Sequence, residues 1–153
     1  MNRSILNSFI LLNCLFITAC SSAHKDVARI VNGKLLPCPS SPNCVSSQAK
    51  DPEHKTDAIR FEKKQVTDLH QTILDVLKRM DRATVVSAKP NHIHAVFTTK
   101  LFRFKDDVDF LIDADNGLIH IRSASRTGYS DFGVNGKRVE TIRKQIKESL
   151  EKE

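Results

Sequence analysis

The sequence predicts an α+β domain: an antiparallel β-sheet of about five strands, in the order β-α-β-β-β-β-α, with two helices packed on one of its faces. Two segments repeat apolar residues at helical spacing, and four segments between them are rich in β-branched or aromatic residues and joined in pairs by turn signals. The second pair meets at Asp115-Asn116-Gly117, and Asn-Gly between alternating segments is a strong hairpin signal.

Residues 58–61 are a short apolar stretch that reads as a first strand. Over residues 66–80, Val66, Leu69, Ile73, Val76, Leu77 and Met80 share one helical stripe while Asp68, Lys78 and Arg79 fall elsewhere, so this helix must lie on something apolar. Residues 84–88 and 92–99 flank Lys89-Pro90-Asn91 and predict a first hairpin. Residues 108–113 and 118–125 predict the second. With Asn116 and Gly117 as its two central turn residues, Asp115 faces Leu118, and counting outward brings Asp107 opposite Arg126 and Asp109 diagonal to Arg122 and Arg126. Val108, Phe110, Ile112, Ile119 and Ile121 then share one face, and Asp107, Asp109, His120, Arg122 and Arg126 the other. Residues 127–133 form a polar, glycine-punctuated loop, and Asn135 stands where a helix cap belongs. Val139, Ile142, Ile146 and Leu150 mark the closing helix, with Glu140 and Lys144 as an i,i+4 pair. Both helices cover the apolar face, which leaves the charged face open.

The N-terminal region reads as an address. Arg3 supplies a positive start, residues 5–17 are mostly apolar but too short to span a membrane comfortably, and Ile17-Thr18-Ala19 places small residues before Cys20. Residues 1–19 are read as a lipoprotein signal peptide and Cys20 as a lipidated first residue, anchored stably by two or three chains. An ordinary secretory signal cleaved at Ala19 is the other reading. Residues 20–35 have few large apolar residues and suit a tether, and residues 36–153 make a single domain. In Pro37-Cys38-Pro39-Ser40-Ser41-Pro42-Asn43-Cys44, two thiols in an exported chain predict a disulfide between Cys38 and Cys44. A structural zinc site and a redox pair compete with that reading, although both favour closer cysteine spacing.

Removing Arg3 from 24 Lys and Arg leaves 23, against 18 Asp and Glu, after cleavage. That mild, dispersed basicity does not point to nucleic acid, and it leaves attraction to lipid headgroups or envelope polymers open. The strings PCPSSPNCVSSQA, DDVDF, RSASRTGYSDFGVN and KRVE resemble, in this order, the signature of the bacterial and plastid family known as domain of unknown function 1499. The likeness runs over residues 36–146. It implies attachment to the bacterial cell envelope, facing the periplasm, but no activity, cofactor or metal. It singles out, among others, Asn43, Asp106, Ser123, Ser125, Gly128, Asp131 and Gly133, while Thr127 departs from its pattern.

No serine or cysteine stands beside a base in the manner of a nucleophile, no G-x-S-x-G turn occurs, and no glycine-rich phosphate loop is present. With no Trp and one Tyr, a sugar-stacking cleft is poorly supplied. The expectation is therefore a non-catalytic binding or accessory domain without a cofactor. Its working surface would be the sheet face and adjoining loop: Arg122, Arg126 and Arg138 for an anionic group, Asp107 and Asp109 to orient them, and Tyr129 and Asn135 at the rim. The ligand would be an anionic small molecule, a lipid headgroup or an envelope protein. Two alternatives remain: an envelope hydrolase or metal-dependent enzyme using Asp106, Asp107 and Asp109, with His92 and His94 nearby, and an assembly factor for a membrane complex.

Overall fold

The computed structural model describes residues 29–62 and 65–152. The segment read as a signal peptide, Cys20 and the part of the expected tether up to residue 28 lie outside the described residues.

The helical stripes and alternating segments fold as their periods require. Strands β1 (Ile30–Val31) and β2 (Lys34–Leu35) form a small hairpin, followed by β3 (Cys44–Ser46), β4 (Ile59–Arg60) and helix α1 (Val66–Arg79). Then come β5 (Ala83–Lys89), β6 (His92–Thr98), β7 (Lys105–Asp113), β8 (Leu118–Ser125) and helix α2 (Val134–Leu150). The main sheet is antiparallel, ordered β3-β8-β7-β6-β5, with β4 also on β8. Its sixth strand, β3, has only three residues, too few to show a period.

Both helices lie on one face. Leu69, Ile73, Val76 and Leu77 of α1 and Val139, Ile142, Ile146 and Leu150 of α2 pack against Ile93, Ala95, Val108, Phe110, Ile119 and Ile121 of the sheet. Burying each such side chain contributes about 1.5–3 kcal/mol, so this layer dominates the stability.

Three local expectations are corrected. The β7–β8 turn has four residues, with Asp113 opposite Leu118. Gly117 alone adopts positive φ there, at 64°, whereas a two-residue type I′ turn needs it at both central positions. Asp113 instead accepts hydrogen bonds from the Asn116 amide at 3.2 Å and from Asn116 Nδ2 at 2.8 Å. The slip is two residues, so every side chain keeps its predicted face. Asn135 does not cap α2, whose N-cap is Gly133; Asp131 accepts the Gly133 and Asn135 amides at 3.0 and 2.6 Å. Glu140 pairs with Arg143 rather than Lys144, which lies 3.8 Å from Glu148.

The charged face is not open. Residues 29–35, read above as tether, form the β1–β2 hairpin, and β2 lies against β7 and β8. Leu35 is buried there, and its amide donates to Gln48 Oε1 at 2.8 Å. Alternation places Leu35 inward, and one buried leucine with two ion pairs from Arg29 suffices to turn a polar segment into a strap. Behind it, the predicted disulfide between Cys38 and Cys44 closes the next loop, with Cα atoms 5.7 Å apart.

Candidate functional site: two faces of one strand and a groove at its end

Alternation along β7 sends Asp107 and Asp109 to the face under the hairpin and Asp106 to the helix side. On the hairpin side, Asp109 sits opposite both His94 of β6 and Arg122 of β8, and Asp107 lies two positions along, opposite Val96 and Ala124. His94 Nε2 is 2.8 Å from Asp107 Oδ1, and His92 Nε2 is 3.2 Å from Asp109 Oδ1. Arg126 donates twice to Asp107, at 3.0 and 2.8 Å, and Arg29 bridges Asp107 and Asp109 at 2.8 and 3.2 Å.

Burial pushes the Asp107 carboxyl up, but hydrogen bonds from His94, Arg126 and Arg29 outweigh it and hold the group well below the usual carboxylate range. A carboxylate so saturated is an orienting anion and a poor proton donor. Burial lowers the Arg122 pKa against the pull of Asp109 and Asp107. Arg122 lies 4.0 Å from Asp109 and donates to the Pro37 carbonyl at 3.4 Å, and its Nε is buried without a partner.

The helix side holds a second network. Arg138 donates to Asp106 at 2.6 Å, to Asn135 Oδ1 at 2.6 Å and to Ser123 Oγ at 3.1 Å, with its guanidinium 4.9 Å over the Phe97 ring. Asn135 Nδ2 donates to the Asn43 carbonyl at 2.9 Å and to Ser125 Oγ at 3.0 Å, tying α2 to the disulfide loop. Arg122, Arg126, Asp107 and Asp109 therefore share one face, Arg138 and Asn135 lie on the other, and Tyr129 stands exposed on the loop between β8 and α2. Strand alternation also keeps Asp106 away from Asp107 and Asp109. Among the described residues no three His, Cys, Asp or Glu side chains are grouped to hold a metal ion.

Of the predicted arginines, Arg138 lines a cavity. A groove of about 470 Å³ runs between the end of α1, the start of α2 and the end of β6. Met80, Phe97 and Val134 give it apolar walls, and Arg82, Lys100, Lys137 and Arg138 bring cations. Asp106 neutralises Arg138, and Arg82 is 3.8 Å from Asp81. Lys100 and Lys137 have no acidic partner among the described residues. The sequence held no signal for these two lysines, because they come from a loop and a helix joined only by folding.

Residues 34–146, most of the chain, match the family described as Protein of unknown function (DUF1499). The chain belongs to that family. The DUF1499 match begins at Lys34, the first residue of β2, and so includes the strand that covers the charged face. It ends at Ile146, inside the helix that carries Asn135 and Arg138. No curated protein matches the chain. No helix of the described residues is long and apolar enough to cross a membrane.

Proposed function

We propose that this DUF1499 protein is an envelope-tethered lipoprotein, anchored through Cys20, whose domain binds an anionic amphiphile without transforming it. The ligand's apolar part lies along Met80, Phe97 and Val134, and its acidic group meets Lys100 and Lys137. The observation that carries this reading is that pair of unneutralised lysines on an apolar groove. Its volume falls within the range usual for small-molecule sites. The groove retains the anion chemistry expected from the sequence but relocates it. Arg122 and Arg126 stand on the far side of the sheet, bound up with Asp107, Asp109 and the hairpin.

Native mass spectrometry of the full-length protein, extracted from its membrane in mild detergent, tests this. The wild type should retain an adduct with the mass of an acidic amphiphile. Lys100→Glu combined with Lys137→Glu should cut its occupancy about tenfold or more, as expected for the loss of roughly 1.4 kcal/mol. A bare protein mass, or an adduct indifferent to both reversals, would overturn the reading and favour an envelope protein as partner.

A further inference from the structure

The end of the sheet that carries the groove also displays large apolar side chains in solvent. Leu101, Phe102 and Phe104 stand on the loop between β6 and β7, and Tyr129 and Phe132 on the loop between β8 and α2. Phe132 is 91% exposed, Leu101 79%, Tyr129 75% and Phe102 69%. The loops are neighbours, since the Arg126 amide donates to the Lys105 carbonyl at 2.9 Å. The Phe102 and Phe104 rings stack with centroids 5.5 Å apart. Arg103 and Phe132 both adopt φ of 54°, a left-handed conformation unfavourable for either residue type. Around these side chains stand Lys100, Arg103, Lys105 and Lys137, none paired with an acid among the described residues. Asp131, the acid of the second loop, is occupied in capping α2.

We propose that these two loops dock the domain on an anionic lipid bilayer, with Phe102 and Phe132 at the acyl boundary and Arg103 and Lys105 among the headgroups. Apolar side chains on separate projecting tips, interleaved with lysine and arginine, suit a fluid surface that fills in around each tip. A flat protein interface would place them in one contiguous patch with charges removed to its edge.

The course of the chain agrees with this orientation. The Leu36 amide donates to the Arg29 carbonyl at 3.1 Å, and two residues later Cys38 is bonded to Cys44, opposite Ala124 near the loop end of β8. The chain thus enters the domain beside the loop-bearing end. Arg29 stands nine positions after Cys20, a reach of at most about 30 Å. This last point rests on the anchor proposed above; the loop chemistry stands without it.

The protein contains no tryptophan, so single substitutions report without background. Full-length lipoprotein carrying Phe102→Trp, Phe132→Trp or, on the edge strand β5, Val86→Trp is reconstituted on phosphatidylcholine vesicles containing phosphatidylglycerol and brominated acyl chains. Flotation reports the anchor, and emission and quenching report the loops. Docking predicts blue-shifted emission at Phe102→Trp and Phe132→Trp, quenched several-fold more strongly than Val86→Trp. It also predicts that the difference shrinks without phosphatidylglycerol or with Arg103→Glu and Lys105→Glu. Flotation with all three tryptophans equally exposed overturns docking and leaves the anchor standing, and failure to float overturns both. A blue shift that appears without vesicles and grows with protein concentration would identify a second copy as the occupant and also overturn the proposal.

Discussion

Arg138 Nη2 donates to Asp106 Oδ2 at 2.6 Å, joining the first turns of α2 to the strand that the helix covers. Their side chains are 9% and 2% exposed, so water can replace little of what each supplies to the other. Asp106→Ala leaves the guanidinium without its counter-ion, and breaking a buried pair in this way costs about 3–5 kcal/mol. The urea midpoint should fall accordingly, and Arg138→Ala should give a loss of similar size. A loss under about 1 kcal/mol in either variant would mean that the pair behaves like a solvated surface one.

Asp107 makes stability depend on acid pH. Its folded pKa lies below the value of about 3.9 in the unfolded chain, so its contribution is fully present above that pH and is lost as pH falls toward the folded value. Denaturation curves between pH 5 and 2 should show the stability of the wild type declining more steeply than that of Asp107→Asn. Parallel curves would show that Arg29, Arg126 and His94 do not favour the ionised form.

His54 acts with the opposite sign. Its Nε2 is 3.0 Å from the Ser41 carbonyl and its Nδ1 is 2.5 Å from Asp51, and these two acceptors raise its pKa. Stability from the imidazolium is full below the unfolded value of about 6.5 and is lost as pH rises through the folded one. Burial lowers the His120 pKa, so His120 contributes in the reverse sense, and the comparison must be with His54→Gln. The melting-temperature gap between wild type and His54→Gln should be wider at pH 5.5 than at pH 8.5. A gap that widens with rising pH contradicts the assignment.

Two glycines should respond oppositely to alanine. Gly117 has φ +64° and an added Cβ would sit 2.9 Å from the Phe61 carbonyl oxygen, so Gly117→Ala should destabilise by about 1–2 kcal/mol or more. Gly136 lies within α2 with nothing within 4 Å of that position, and Gly136→Ala should stabilise by roughly 0.5–1 kcal/mol. Chemical denaturation of both variants checks the contrast.

Much of the fold was legible because it is written in short-range periods. Apart from exposed Val66 and half-buried Met80 at the two ends of α1, the apolar stripes of α1 and α2 are buried where the 3.6-residue spacing put them, and the alternation in β7 and β8 assigned every side chain to its face despite a two-residue error in register. The error arose because Asn-Gly marks a turn without stating its length, and the Asp113 side chain chose a longer one. The candidate site was less legible. Arg138 and Arg122 look alike in sequence, yet one belongs to α2 and the other to β8, on opposite sides of the sheet. Lys100 and Lys137 carried no pattern at all until β6, β7 and α2 met.

Local sequence by itself determined strands β4 to β8, both helices, their inward faces and the Cys38–Cys44 bond, because these depend on residues within a few positions of one another. Tertiary structure alone decided that residues 29–36 fold back over Asp107, Asp109 and Arg122, and that Lys100 and Lys137 share a groove. The physical reason is that Arg29 and Asp109 stand 80 positions apart in sequence. Pairing at that range is settled by which surfaces remain to be buried once the local elements have formed, and no local period records it.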